Sequence, residues 1–152
     1  MESNVAASLE LSPASESDLD FVYRVTEAAM RGYVEKTWGI WDPRLQRKTV
    51  SDSFNTQTHR IISHAGERIG ILASSCHDTH VQLEKIYLLP VYQNQGIGSS
   101  LIRQLMQHAT QQRKPLRLRV LRVNPARRLY ERLGFVATFT TLERVYMEYR
   151  DS

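Results

Sequence analysis

Gln93, Gly96 and Gly98, in the run QNQGIG, are the residues of this 152-residue chain whose types and spacing point most directly to chemistry. A strand pattern ends just before them at Leu89, and apolar residues at helical spacing begin at Ile97. A strand-to-helix junction offers free backbone N–H groups and the positive end of a helix dipole, and the two together hold anions. Glycine at 96 and 98 lets the backbone close on a phosphate that a Cβ would keep away. Gln93 adds a side-chain donor. The loop is expected to cradle a phosphate-bearing cofactor. Two other phosphate loops are excluded. No Gly-Lys-Ser/Thr follows the glycines, so this is not a P-loop, and the dinucleotide fingerprint needs glycine where Leu101 stands.

Basic residues cluster on the C-terminal side of this loop. Between Arg103 and Arg132 lie Arg113, Lys114, Arg117, Arg119, Arg122, Arg127 and Arg128, with Glu131 the only acid, in a chain of net charge +4. Such a field attracts phosphate, whether of a nucleic acid or of a nucleotide-type cofactor; it also reads as a solvated face. No aromatics interleave with these arginines, as single-strand readers require, so no nucleic-acid partner is expected.

The elements that must position the loop follow from pattern. Val5–Leu11 alternates weakly as a first strand, and Pro13 breaks it. Ser15–Asp18 supplies helix-start chemistry. Apolar residues from Leu19 to Met30 then predict a helix to about Arg31, ended or bent by Gly32. Tyr33–Pro43 reads as a loop or short helix, and Pro43–Phe54 as a second helix. His59–His64 and Arg68–Cys76 form a hairpin around Ala65–Gly66. His80–Leu89 is a long strand. Ile97, Leu101, Ile102, Leu105, Met106 and Ala109 mark an amphipathic helix to about Arg113. Leu116–Val123 alternates at period two, with Arg117 and Arg119 opposite Leu116, Leu118 and Val120. Asn124–Pro125 opens a short helix that Gly134 ends. Phe135–Thr141 and Arg144–Arg150 close the chain as an antiparallel pair. The order β, α, α, β, β, β, α, β, α, β, β places the fold in the mixed α/β or α+β class.

Two blocks carry a specific resemblance. LEKIYLLPVYQNQGIGSSLI resembles the central motif of the GCN5-related N-acetyltransferase (GNAT) superfamily, Gln/Arg-x-x-Gly-x-Gly/Ala, which Gln93, Gly96 and Gly98 fill. LRVLRVNPARRLYERLGF is similar to the family's later motif at Asn124, Tyr130 and Leu133–Gly134–Phe135. Together the blocks span about Leu83 to Phe135. The resemblance implies one domain over residues 1–152. Its central, mostly antiparallel twisted sheet has about seven strands and about four flanking helices, and is splayed between the fourth and fifth strands.

It also implies a mechanism. Acetyl-CoA would lie in the gap between the strand ending at Leu89 and the strand Leu116–Val123. Main-chain groups of Ile86, Tyr87 and Leu88 would pair with the pantetheine arm, and an N–H near Leu88 would polarise the thioester carbonyl. N–H groups of Asn94, Gln95, Gly96, Ile97, Gly98 and Ser99 would hold the pyrophosphate. Asn124 would bond the pantetheine or a neighbouring backbone group; as a residue before proline it also reads as a helix cap. Tyr130 would protonate the leaving thiolate, or simply pack. Arg127 or Arg128, cations in a helix's first turn where the dipole disfavours them, would take the 3′-phosphate of CoA.

The acceptor amine must lose a proton before attack. Some relatives use a glutamate five residues before the asparagine; here that position is Arg119, which cannot act as a base. Its presence suggests an acidic acceptor, such as one bearing a carboxylate. Glu84 is the first candidate for the base and Glu35 the second, and a water relay would need neither. Tyr33, Trp38 and Trp41 stand where the family builds its acceptor pocket; they either wall a substrate channel or cover the end of the core. The acceptor itself, a small-molecule or peptide amine, is not legible. A catalytically silent CoA-binding module is the alternative. Many relatives dimerise, which leaves a homodimer open.

Cys76, His77, Asp78 and His80 are metal-capable, but alternation at a hairpin turn points them apart, so no metal is expected. A lone cysteine excludes an internal disulfide and suits a reducing compartment. MESNVAASLE has no basic segment leading into an apolar run, and no stretch reaches the roughly 18 apolar residues of a membrane span. A cytoplasmic protein without membrane contact is expected.

Overall fold

The computed structural model describes residues 8–151. Seven strands form one sheet in the order β1-β2-β3-β4-β5-β7-β6. They are β1 (Leu9–Pro13), β2 (His59–His64), β3 (Glu67–Cys76), β4 (Val81–Leu88), β5 (Leu116–Leu121), β6 (Val136–Thr140) and β7 (Arg144–Tyr149). Four helices accompany them: α1 (Leu19–Trp38), α2 (Pro43–Ser53), α3 (Ile97–Gln111) and α4 (Ala126–Leu133). The pairs β1–β2, β2–β3, β5–β7 and β6–β7 are antiparallel, and β4–β5 is parallel. This is the mixed, mostly antiparallel architecture that the element order predicts. Val5–Ala7 of the expected first strand lie outside the described residues.

The chain gathers into two compact units. The first comprises the residues up to Ala73 together with Lys85–Ile97. Its apolar interior is built from Val22 and Val25 of α1, Val50 of α2, Ile61 and Ile62 of β2 and Ile69, Ile71 and Leu72 of β3, all buried. Ala65 and Gly66, both at positive φ, turn β2 into β3 at the predicted place. Asp42 caps α2 by accepting the N–H groups of Arg44 and Leu45, and Pro43 takes the first helical position.

Gly32 does not end the first helix. α1 continues to Trp38 and stops at Gly39, whose φ of 88° suits glycine and whose N–H donates to the Glu35 carbonyl. Gly32 sits mid-helix with nothing within 4 Å of where a Cβ would be. A helix tolerates one such glycine at a cost of about 1 kcal/mol, which tertiary packing overrides. Tyr33 and Trp38 are therefore helical, not in a loop.

The second unit comprises Ser74–Glu84 and the chain from Gly98 onward. α3 buries Leu101, Ile102 and Ala109 at helical spacing, and β5 and β7 bury Leu116, Leu118, Val120, Val145 and Met147 at alternate positions. β4 and β5 register at only two pairs, Val81↔Leu116 and Gln82↔Arg117. At the far edge, β6 pairs only with β7, and all five of its residues are exposed. No helix is long and apolar enough to cross a membrane among the described residues.

Candidate functional site

In the first unit, β4 ends at Leu88 and a single 3-10 turn, Pro90–Tyr92, carries the chain to the glycine loop. Asn94 and Gly96 both take left-handed φ values, 62° and 82°. Left-handed residues turn successive N–H groups toward one side, the arrangement that makes an anion-binding concavity. Nothing in the protein lies within 4 Å of a Cβ built on Gly96 or Gly98. The glycine at 98 is therefore not demanded by the fold. Gln93 also ties the loop to the strand. Its Nε2 donates to the Leu88 carbonyl at 2.9 Å, so its first role is to lock the loop back onto β4. Gln95 likewise donates to the Val91 carbonyl at 2.7 Å. Ile97 is buried and anchors the start of α3, with Ser99 half-buried in its first turn.

The backbone of β4 changes phase along its length. Val81 N–H donates to Pro115 beside β5, whereas Leu89 N–H donates to Ile69 of β3. In a regular strand, residues an even number apart bond to the same side. Burial slips in step: Val81 and Leu83 are buried, then Leu88. Since Leu89 is turned to β3, the amide and carbonyl of Leu88 are turned the other way, where Gln93 takes the carbonyl. Ile86 and Tyr87 are half-buried. Gly70 of β3 backs this segment. A Cβ on it would collide with the Tyr87 carbonyl oxygen and come within 2.8 Å of Leu88 Cδ2. Gly70 was not among the expected site residues; a glycine inside a strand pattern is the signal that marks such a close approach.

In the second unit, Asn124 acts as the cap it resembles, its Oδ1 accepting Ala126 N–H at 2.9 Å. α4 follows and carries Tyr130, which is buried with its ring edge-on to Phe135 at 5.8 Å. Gly134, at φ 106°, ends the helix and turns Phe135 back onto it, Phe135 N–H donating to the Tyr130 carbonyl. An open cavity of about 400 Å³ is lined by Arg122, Asn124, Arg127, Arg128 and Glu131, among others. Arg127 Nε stands 3.5 Å from Glu131 on an exposed turn, a weak pairing that leaves the cavity basic.

Glu84 is exposed on β4 and accepts from Ser75 Oγ at 3.4 Å; Ser75 Oγ also lies 2.9 Å from His77 Nε2. Arg119 is exposed on β5 opposite Tyr146 of β7. His77 and His80 do not point apart as expected. Their rings stack at 4.7 Å, because the turn closed by His77 N–H on the His80 carbonyl abandons strand alternation. Burial, with Arg117 and His77 nearby, pushes His80 below the usual imidazole range. No group of three metal-ligating side chains exists among the described residues.

The aromatic residues divide. Trp41 is buried in the core, its Nε1 donating to Tyr23 Oη at 3.3 Å, so it covers the core end. Tyr33 is half-buried and Trp38 is 48% exposed on the last turns of α1.

Comparison with known proteins agrees with this arrangement. A family model described as an acetyltransferase (GNAT) domain matches residues 55–137. Among solved structures, a PaiA N-acetyltransferase from Thermoplasma acidophilum in complex with coenzyme A superposes with a TM-score of 0.75 at 18% identity, covering 95% of this chain and 99% of that one. A GCN5-related N-acetyltransferase from Rhodopseudomonas palustris gives a TM-score of 0.74 at 15% identity, over 97% and 98% of the two chains. The ribosomal-protein-S18-alanine N-acetyltransferase from Escherichia coli gives 0.69 at 21% identity, over 95% and 96%. At these identities the likeness is one of fold. Among curated proteins, none matches by sequence.

Proposed function

Because the chain belongs to the GNAT acetyltransferase family, we propose that it moves an acetyl group from acetyl-CoA to a primary amine by direct attack. The observation that carries this reading is the loop Gln93–Gly98. Two left-handed residues, two glycines whose Cβ positions are open and the start of a helix fit a pyrophosphate. The PaiA relative, crystallised with coenzyme A, supports the choice of cofactor.

In the reaction, the neutral amine attacks the thioester carbonyl carbon. The C–N bond forms as the C–S bond breaks. Leu88 N–H is the donor assigned to the carbonyl oxygen, since that edge of β4 is turned from β3. Tyr130 gives its proton to the departing thiolate and is reprotonated by the proton that the newly acylated nitrogen sheds. Glu84, directly or through water, takes the proton that the ammonium must shed. The basic cavity at Arg127 and Arg128 suits the 3′-phosphate. Tyr33 and Trp38 remain the aromatic side chains assigned to the acceptor.

Gly98→Glu tests the reading. Glutamate is a better helix former than glycine, it suits a helix's first turn and its Cβ meets nothing within 4 Å, so folding should not suffer, while its carboxylate repels a pyrophosphate. Acetyl-CoA binding by calorimetry should weaken about tenfold, or about 1.4 kcal/mol. Wild-type affinity in that variant would remove the loop from the cofactor site.

A further inference from the structure

In the second unit an exposed carboxylate and an exposed guanidinium each stand two residues beyond the last registered pair of the β4–β5 ladder. Gln82 and Arg117 are register partners of the parallel β4–β5 ladder. Two residues further along each strand come Glu84 and Arg119. Period-two alternation keeps both on the side of Gln82 and Arg117, away from buried Leu83 and Leu118. The ladder has no registered pair beyond Gln82 and Arg117, so nothing presses the two charges together.

They do not neutralise each other. Arg117 is already compensated: its Nε meets Glu148 at 2.8 Å, and Arg150 meets the same carboxylate at 2.6 Å. Those two hydrogen-bonded guanidiniums outweigh the burial that opposes them and hold Glu148 below the usual carboxylate range. Arg119 has no ion pair or hydrogen bond among the described residues, and its cross-strand partner is the uncharged Tyr146. Glu84 has only the long contact from Ser75. A carboxylate and a guanidinium without an ion pair among the described residues, on neighbouring strands, match a molecule with an ammonium and a carboxylate close together.

We propose that the acceptor is an amino acid, held through its carboxylate by Arg119 while Glu84 faces its amine. A guanidinium receives a carboxylate through two parallel hydrogen bonds, which fixes the orientation of the amine beside it. The inference rests on the acetyl-transfer reading and narrows it to a substrate class.

The test is a panel of free L-amino acids against their carboxamides, with acetyl-CoA as donor and release of CoA thiol as readout. The amide form has the less basic amine and so starts with the advantage at neutral pH. The wild type should nonetheless prefer the acid form in kcat/KM by about tenfold or more, the worth of one good charged contact. Arg119→Gln should bring that ratio close to one, and Arg119→Lys should retain part of it. Equal or better turnover of the amides by the wild type overturns the proposal, as does an unchanged ratio in Arg119→Gln. Turnover of neutral amines with none of any amino acid overturns the substrate class alone. Silence toward every amine, with acetyl-CoA still bound, overturns the acetyl-transfer reading as well.

Discussion

Gly70→Ala should damage both folding and catalysis. Ordinary contact with a Cβ begins at 3.4 Å, and Leu88 Cδ2 would stand at 2.8 Å, so that methyl must give by 0.6 Å. Rotation of the Leu88 side chain can supply this. The Tyr87 carbonyl oxygen cannot rotate away, and the strand itself must move. Overpacking of this kind costs about 1–3 kcal/mol. The same movement carries Leu88 N–H away from the place that the proposed reaction gives it, and a misplacement of about 1 Å can cost about 100-fold in rate. Urea unfolding and steady-state CoA release measure the two effects separately. Gly32→Ala serves as the control. The substitution is the same, but the new Cβ meets nothing, so the helix should gain up to about 1 kcal/mol with no change in rate. Wild-type stability and wild-type kcat/KM in Gly70→Ala would refute the reasoning.

Other outcomes follow from the same geometry. Tyr130→Phe keeps the ring that packs on Phe135, so it should fold and bind acetyl-CoA normally while kcat falls about 100-fold or more; an unchanged kcat removes the general acid. Glu84→Gln should lower kcat with an uncharged-at-all-pH side chain in place of the base, and an unaltered pH–rate profile would assign the proton to water alone. Asp18 accepts the backbone N–H of Ser15 at 2.8 Å and pairs with Arg68, and these hold its carboxyl below the usual range despite some burial. A depressed pKa contributes stability above the unfolded value and loses it as pH falls through the folded one. Asp18→Asn should therefore cost about 1 kcal/mol at neutral pH, and its gap from wild type should close in acid below the carboxylate range; a gap that is constant with pH would show the charge to be idle.

The parts of the fold ruled by short-range chemistry were legible in the chain. Asp42–Pro43 announces α2, Ala65–Gly66 the hairpin, and LRLRV the strand β5, because capping, turns and period-two burial act over a few residues. The glycine loop was legible for the same reason. Gly32 misled because helix propensity is a weak prior, and packing of Phe21, Val22, Val25 and Val34 carries α1 past it. The stacking of His77 on His80 was not legible, since alternation fails at a turn. Gln93's bond to the Leu88 carbonyl, the core position of Trp41 and the clash behind Gly70 all depend on distances across the fold, which spacing does not encode. Arg119 was legible as a departure from the family pattern, but its place on the strand beside Glu84's needed the β4–β5 pairing.

The change of phase within β4 restricts how this enzyme can vary. Val81 is tied to Pro115 at one end and Leu89 to Ile69 at the other. Losing one residue between them would drag an anchor by about 3.3 Å and turn every side chain beyond the cut to the opposite face. Exchange of residues along β4 keeps this phase, whereas insertion and deletion break it. A change of acceptor preference made within β4 therefore has to be a substitution at constant strand length.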